Sequence, residues 1–191
     1  SDLGYRLFVT GAGSGMGLAS VKQACALGAR VAGTVRGGQQ RETLRQNLDD
    51  DDIFDLDVTD SAGLDEAVAT TIARFGGLDG ALACAGVIAL YTSTDTTDKT
   101  WRQVIDTNLT GSFNLARAAA RHMKAQGKGS IVMISSQIGL VGHPSAAAYA
   151  VSKSGINGLA RTMALELGPD NVRVNAVGPG PVATDMTAET R

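Results

Sequence analysis

The chain has 191 residues, a formal net charge of −2, and 43% hydrophobic against 19% charged residues. That length suits one domain with a sizeable core, and the balance excludes a disordered segment or the basic surface of a nucleic-acid binder. Its two cysteines, Cys25 and Cys84, stand far apart on apolar segments, which fits reduced core thiols in the cytoplasm better than a disulfide framework or a metal site.

Taken in chain order, β-rich apolar runs are expected at Arg6 to Thr10, Arg30 to Val35, Ile53 to Asp57, Leu78 to Ala83, Ser130 to Ile134 and Val172 to Val177. Stretches of helical character separate them, such as Met16 to Leu27 and Leu64 to Phe75. Continuous rather than alternating apolar strands, joined by helices, predict a parallel sheet with helices on both faces: a Rossmann-type doubly wound α/β/α domain over residues 1–191. The acidic run Asp49 to Asp52 reads as a solvated turn, since four adjacent carboxylates with no nearby histidine make a poor metal site. No charged leader precedes a long apolar run, and no stretch approaches the ~20 apolar residues of a membrane span, so neither secretion nor membrane insertion is expected.

The first strand runs into "LFVTGAGSGMGLAS", with glycines at 11, 13, 15 and 17. At a strand-to-helix turn, glycine lets a pyrophosphate approach the unpaired N–H groups and positive dipole end of the helix. The common G-x-G-x-x-G order is absent, because Met16 and Leu18 stand where a third glycine is required. Thr10, Gly11, Gly15 and Gly17 instead resemble the T-G-x-x-x-G-x-G loop of the short-chain dehydrogenases and reductases. The extended branch of that family would need glycine at Ser14.

A second set strengthens the resemblance. "SSQIGLVGHPSAAAYAVSKSG" places Tyr149 and Lys153 four residues apart, on one face of a helix expected from about Ala147 to Leu167. Ser136 precedes Tyr149 by thirteen residues and follows an apolar strand; its neighbour Ser135 is the competing candidate, and the family spacing selects Ser136. Asn108, in "VIDTNLTGSF", resembles the family asparagine that bends the long fourth helix and holds a proton-relay water. The resemblance implies a catalytic set of Asn108, Ser136, Tyr149 and Lys153. It also implies cofactor contacts from Gly11, Ser14, Gly15, Met16 and Gly17 at the loop, and from Arg36, Asp57 and Val58 at the adenosine end. Ala83, Ala85 and Gly86 follow the fourth strand, Tyr149 and Lys153 also touch the cofactor, and Pro179, Gly180, Val182 and Thr184 lie beside the nicotinamide.

The implied chemistry suits these residue types. Moving a hydride between NADP(H) or NAD(H) and a carbon bearing oxygen needs a group that gives or takes a proton at that oxygen. An ammonium about 4 Å from a phenol could lower its pKa from ~10 to about 7, so Lys153, helped by the positive nicotinamide of the oxidised cofactor, is expected to bring Tyr149 toward neutrality. The substrate is expected to be a neutral, moderately apolar secondary alcohol or carbonyl compound, since Val87 to Thr94 and Gln137 to Pro144 carry Leu90, Tyr91, Leu140 and Val141 with few charges. His143 reads as a solvent-facing loop residue. NADP(H) is favoured over NAD(H): NAD-selective members carry an acid where this chain has Val35, and Arg36 follows with a guanidinium suited to a 2′-phosphate, although Ser14 lacks the basic side chain many NADP-dependent members place there.

Two departures from the family stand out. "ACAG" replaces the usual N-N-A-G, with Ala83 and Cys84 in place of both asparagines, and beyond Thr184 the sequence stops short of the usual substrate lid and last strand, as expected either of a fragment or of a chain that omits them. The alternative reading, a catalytically inactive nucleotide-binding sensor or scaffold, would be expected to show a broken Ser-Tyr-Lys set. The resemblance implies a homo-oligomer, dimer or tetramer, pairing through helices near Trp101 to Lys124 and Ser152 to Leu167; charge, hydropathy and cysteine use lead us to expect a cytoplasmic protein with no nucleic acid, membrane or metal partner.

Overall fold

Six parallel strands form one sheet in the order β3-β2-β1-β4-β5-β6 in the computed structural model, which describes residues 4–184. The strands are β1 Arg6–Thr10, β2 Arg30–Val35, β3 Ile53–Asp55, β4 Gly80–Ala83, β5 Gly129–Ile134 and β6 Val172–Val177. Between them run α1 Gly15–Ala26, α2 Gly38–Arg45, α3 Ser61–Phe75, α4 Asp98–Ile105, α5 Gly111–Gln126 and α6 Ala147–Leu167. β3 and β4 are shorter than the apolar runs predict: Leu56 and Asp57 already turn toward α3, and Leu78 and Asp79 are tied at the edge by Gln126 and Arg6. The sheet therefore grows outward from β1 to β3, and the chain then returns to the other side of β1 with β4. Where that order reverses, the carboxyl ends of β1 and β4 diverge and leave a crevice, the usual ligand position in an open α/β sheet.

Local signals account for the ends of the helices. Asp60 Oδ1 accepts the Gly63 N–H at 3.0 Å to start α3, which stops at Gly76 in the left-handed region, φ 75°. Thr97 Oγ1 accepts the Thr100 N–H at 3.1 Å to start α4, and α5 stops at Gly127, φ 71°. The Asp60 and Thr97 caps satisfy N–H groups that a helix start leaves unpaired, each worth about 1 kcal/mol, while the Gly76 and Gly127 N–H groups donate to carbonyls of the last turn, Ile72 and Lys124.

Successive strand residues face opposite ways, which divides the core in two. Phe8, Leu64, Leu115, Met123, Ile131, Met133 and Ile156 belong to the larger cluster, where α3, α5 and α6 cover one face. Val9, Val21, Val31, Val35, Leu44 and Ile53 form the smaller one with α1 and α2. Each such side chain contributes about 1.5–3 kcal/mol by leaving water. The acidic run differs from a simple solvated turn. Asp52 is buried and pairs with Arg74 at 2.9 Å, while Asp50 holds Arg41 and Arg45, so the run clamps α2 and α3 to the edge of β3. Among the described residues no helix is long and apolar enough to cross a membrane.

Candidate active site

The turn from β1 into α1 can be made only by small residues. Gly11 has φ 65°, and a β-carbon there would sit 2.8 Å from the backbone N and Cα of Ala85. A β-carbon on Gly17 would run into the carbonyl oxygen of Gly11. Thr10 locks the junction: its hydroxyl oxygen accepts the N–H groups of Cys84 at 3.2 Å and Ala85 at 3.4 Å. Ser14 begins α1 without capping it through its side chain, so the positive end of the helix faces the crevice. A cavity of about 150 Å³ lies there, lined by Gly11, Ser14, Gly15, Met16 and Gly17 on one side and Cys84, Ala85 and Gly86 on the other. This cradle, which β-carbons at Gly11 or Gly17 would fill, fits the pyrophosphate of a dinucleotide.

A second cavity of about 80 Å³ continues the first and shares Met16, Cys84, Gly86 and Thr184 with it. Ser136, Tyr149 and Lys153 line it together with Pro179, Gly180 and Val182. Strand β5 delivers Ser135 and Ser136 to its mouth, and the structure separates their roles. The Ser135 hydroxyl is buried and donates to the Lys153 carbonyl at 3.0 Å, whereas Ser136 lines the cavity. Tyr149 and Lys153 come one turn apart from α6. Lys153 Nζ donates to the Ile134 carbonyl at 2.7 Å and stands 5.5 Å from the centroid of the Tyr149 ring. Gly139 fixes this helix, since its carbonyl accepts from Ser154 at 2.9 Å and Asn157 at 3.3 Å. A β-carbon there would press on the Lys153 backbone at 2.8 Å.

Asn108 occupies a π-helical turn, Asp106–Thr110, that joins α4 to α5. It is fully buried; Oδ1 accepts the Val87 N–H at 2.7 Å, and Nδ2 donates to the Val87 carbonyl at 2.9 Å and to Ser152 Oγ at 3.2 Å. Its side chain thus staples the segment after β4 to α6, with both amide hydrogens already engaged. Asn114, two turns on, donates to the Val58 carbonyl at 3.0 Å and steadies the loop after β3 in the same way.

Burial sets the charge states. Lys153 is pushed down to about 8 by desolvation, and the Cys84 thiol is pushed up to about 11 by the same cause. Tyr149 is also raised by burial, against a hydrogen bond from Ser136 that lowers it. The expectation that Lys153 draws the phenol toward neutrality does not hold in the protein alone, because burial of the phenolate raises Tyr149 and the Ser136 hydrogen bond offsets that only in part.

These shifts predict how stability changes with pH. Between its folded value of about 8 and its ordinary 10.5, Lys153 is protonated only in the unfolded chain, so stability rises with pH by about 1.4 kcal/mol per unit. Between its ordinary 9.0 and about 11, Cys84 keeps its proton only in the folded chain, and stability falls at a similar rate. Denaturant unfolding of the parent is expected to show stability rising by about 1 kcal/mol from pH 8 to 9 and then levelling. In Cys84→Ala the rise continues to about pH 10. A parent with no rise from pH 8 to 9 contradicts the burial of a charged Lys153.

Just past the ends of β2 and β3, Arg36 Nη1 lies 3.6 Å from Asp57 Oδ2, both side chains exposed. Hydrogen bonds from the Thr59 N–H and hydroxyl hold the Asp57 carboxyl below its ordinary range. Val58 is buried against Gly111. Ala83, expected among the cofactor contacts, is 2% exposed within the larger core and lines neither cavity; Cys84, expected in a core, lines both. β4 ends at Ala83 itself, which packs in the larger core, and the chain opens into the cleft one residue later, at Cys84. Gln40 also lines the first cavity and packs against Gly13, a contact between α2 and the loop that local sequence carries no signal for. Leu140 and Val141 are 76% and 62% exposed at the rim, His143 is exposed, and a bridge between Tyr91 and Ala146 joins the two rim segments. A larger hollow of about 570 Å³ lies on the sheet face beside Leu7, Leu82 and Val132, away from Ser136, Tyr149 and Lys153.

The family model described as short chain dehydrogenase matches residues 6–191. A 3-alpha-(or 20-beta)-hydroxysteroid dehydrogenase of Mycobacterium bovis is 37% identical over 186 residues, covering 97% of this chain and 72% of that one. A trans-4-hydroxycyclohexanecarboxylate dehydrogenase of Sinomonas cyclohexanicum is 47% identical over 133 residues, covering 70% and 51%. The solved structure of a short-chain type dehydrogenase/reductase from Mycobacterium ulcerans superposes with a TM-score of 0.92 at 31% identity, covering 99% of this chain and 72% of that one.

Proposed function

Because the chain belongs to the short-chain dehydrogenase family, and so is an NAD(P)-dependent oxidoreductase of alcohols and carbonyls, we propose that Tyr149 is the general acid and base of its reaction. The observation that carries this reading is that Ser136, Tyr149 and Lys153 open together onto a cavity continuous with the glycine cradle.

A nicotinamide dinucleotide supplies or accepts the hydride. In the cradle, the backbone of Gly11, Ser14, Gly15, Met16 and Gly17 holds the pyrophosphate. Asp57 and Val58 meet the adenine, Ala85 and Gly86 the ribose, and Pro179, Gly180, Val182 and Thr184 the nicotinamide side. The Ser136 hydroxyl donates to the substrate oxygen and steadies charge developing there. Tyr149 Oη gives its proton to that oxygen in reduction and takes one from the hydroxyl in oxidation. A phenol held above its ordinary value is protonated at neutral pH, the form that reduction uses. Lys153 orients the phenol and binds the ribose, and Asn108 keeps α6 and the Val87 segment in place.

NADP(H) is the cofactor in this reading, on the absence of an acid at Val35 and the guanidinium of Arg36 beside it. The substrate is a neutral ring ketone or secondary ring alcohol. The exposed apolar rim of Leu90, Tyr91, Leu140 and Val141 supports the neutral, apolar character, and the ring is shared with the substrates two relatives are named for, a hydroxysteroid and a hydroxycyclohexanecarboxylate. Assays with a steroid ketone, cyclohexanone, straight-chain ketones and a keto acid, each with both nicotinamides, are expected to give kcat/KM at least ~10-fold higher for the ring ketones than for the keto acid. A keto acid as best substrate overturns the substrate class, and dinucleotide binding without turnover on any carbonyl overturns the enzyme reading. The protein is a homo-oligomer in this reading, since Phe113, Leu159 and Met163 line an apolar groove of about 390 Å³ between α5 and α6. A fully active monomer by light scattering at micromolar concentration overturns it. Two free thiols support a reducing cytoplasm, which cell fractionation tests.

A further inference from the structure

The end of β2 acquires an acid that its own sequence lacks. Val35 is apolar and 1% exposed, yet its register partner on the neighbouring strand is Asp55, the last residue of β3. The Asp55 side chain reaches past the pair, and its Oδ1 accepts the Gly37 N–H at 3.1 Å. Gly37 follows Arg36 directly, with φ 87° and open space where a side chain would stand. The Arg36 guanidinium, for its part, faces Asp57 at 3.6 Å. Two groups at this strand end could grip an anion, the guanidinium and the Gly37 N–H, and each is met by a carboxylate from the segment that ends β3.

We propose that Asp55 is a specificity-determining residue, whose carboxylate supplies across the sheet the acid absent at Val35 and weakens the hold of the site on a 2′-phosphate. The inference rests on Arg36 being the 2′-phosphate ligand. A phosphate monoester carries about −1.5 to −2 charges at neutral pH. Drawn to Arg36, it must either displace Asp55 from Gly37 or lie within several ångströms of it. Asp57 is less free to yield, because Thr59 holds it with two hydrogen bonds. Asp55 is exposed, so its repulsion acts through solvent and is screened by salt. At about 6 Å in water this amounts to roughly three- to tenfold in affinity at low ionic strength. Arg36 and Asp55 therefore oppose each other, and the preference for NADP(H) is smaller than Arg36 alone dictates.

Titration with AMP and with adenosine 2′,5′-bisphosphate isolates the 2′-phosphate from the rest of the cofactor. In Asp55→Asn an amide oxygen can still accept from Gly37, so the loop is kept and only the charge is lost. This variant is expected to bind the bisphosphate about three- to tenfold tighter than the parent at low salt, with the gain shrinking at about 0.5 M salt and AMP affinity within about twofold. The NADP(H)-to-NAD(H) ratio of kcat/KM rises by the same factor. Unchanged bisphosphate affinity in Asp55→Asn overturns the proposal; if Arg36→Ala weakens that affinity in the same series, the Arg36 reading survives alone. An Arg36→Ala variant with parental bisphosphate affinity overturns the Arg36 reading, and this inference with it.

Discussion

Replacing Tyr149 by Phe is expected to lower turnover by about 10²-fold or more while leaving dinucleotide affinity within about twofold. The substitution removes one oxygen and keeps the ring that packs at 5.5 Å from Lys153 Nζ, so the cavity walls and the Lys153 to Ile134 hydrogen bond persist. What is lost is the proton that the substrate oxygen must gain or give as the C–O bond order changes. Water in a cavity of about 80 Å³ cannot take the same place with the same alignment. Steady-state kinetics beside a binding titration separates the two effects. Turnover near that of the parent overturns the assignment, and a parallel loss of cofactor affinity points instead to a structural role.

A second large effect is expected at Gly17. An Ala there directs its β-carbon onto the Gly11 carbonyl oxygen, a backbone atom with no rotamer to change. Gly11 has little room to retreat, since the Ala85 backbone stands 2.8 Å from where even a β-carbon on it would lie, so the strain passes to the segment after β4. Overpacking of this kind costs about 3 kcal/mol, and whichever part of the cradle yields, the pyrophosphate loses its fit. Gly17→Ala is therefore expected to lose about 10²-fold in dinucleotide affinity or about 3 kcal/mol of stability. Gly38→Ala, with nothing within 4 Å of its β-carbon, is the control and stays near the parent. Denaturant unfolding and titration of both variants check this; a Gly17→Ala protein that matches the parent in both contradicts the cradle geometry.

What could be read from residue order was what depends on short spacings. Thr10 to Gly17 is a turn between adjacent elements, and Tyr149 and Lys153 share one helix turn, so spacing brings each set together while the family resemblance supplies the roles. Asn108 was recognisable by its neighbours, but the π-helical turn uses its side chain as a staple to Val87 and Ser152, 21 and 44 residues away. Strand register is likewise invisible in one dimension. Nothing near Val35 announces Asp55, and only the pairing of β2 with β3 brings that carboxylate to Gly37. Cys84 departs from its sequence expectation for a related reason. An apolar neighbourhood in sequence suggested a core, yet β4 ends at Ala83 and the chain opens there into the cleft. The direction of the Tyr149 shift depended on burial, which no spacing reports.

The crossing from β3 back to β4 also governs when the cleft comes into being. Thr10 and Cys84, whose hydrogen bond closes the cradle, are 74 residues apart in the chain. Bringing them together costs loop-closure entropy that is recovered only once β1 lies between β2 and β4. A partly folded chain with β1, β2 and β3 assembled has a phosphate loop without its opposite wall. One with β4, β5 and β6 assembled has the chemical groups without the loop. The dinucleotide consequently binds the native sheet and no earlier state, and at a hundredfold excess over its Kd it adds about 2.7 kcal/mol to global stability. It acts as a brake on unfolding, and the chain must find its strand order unaided.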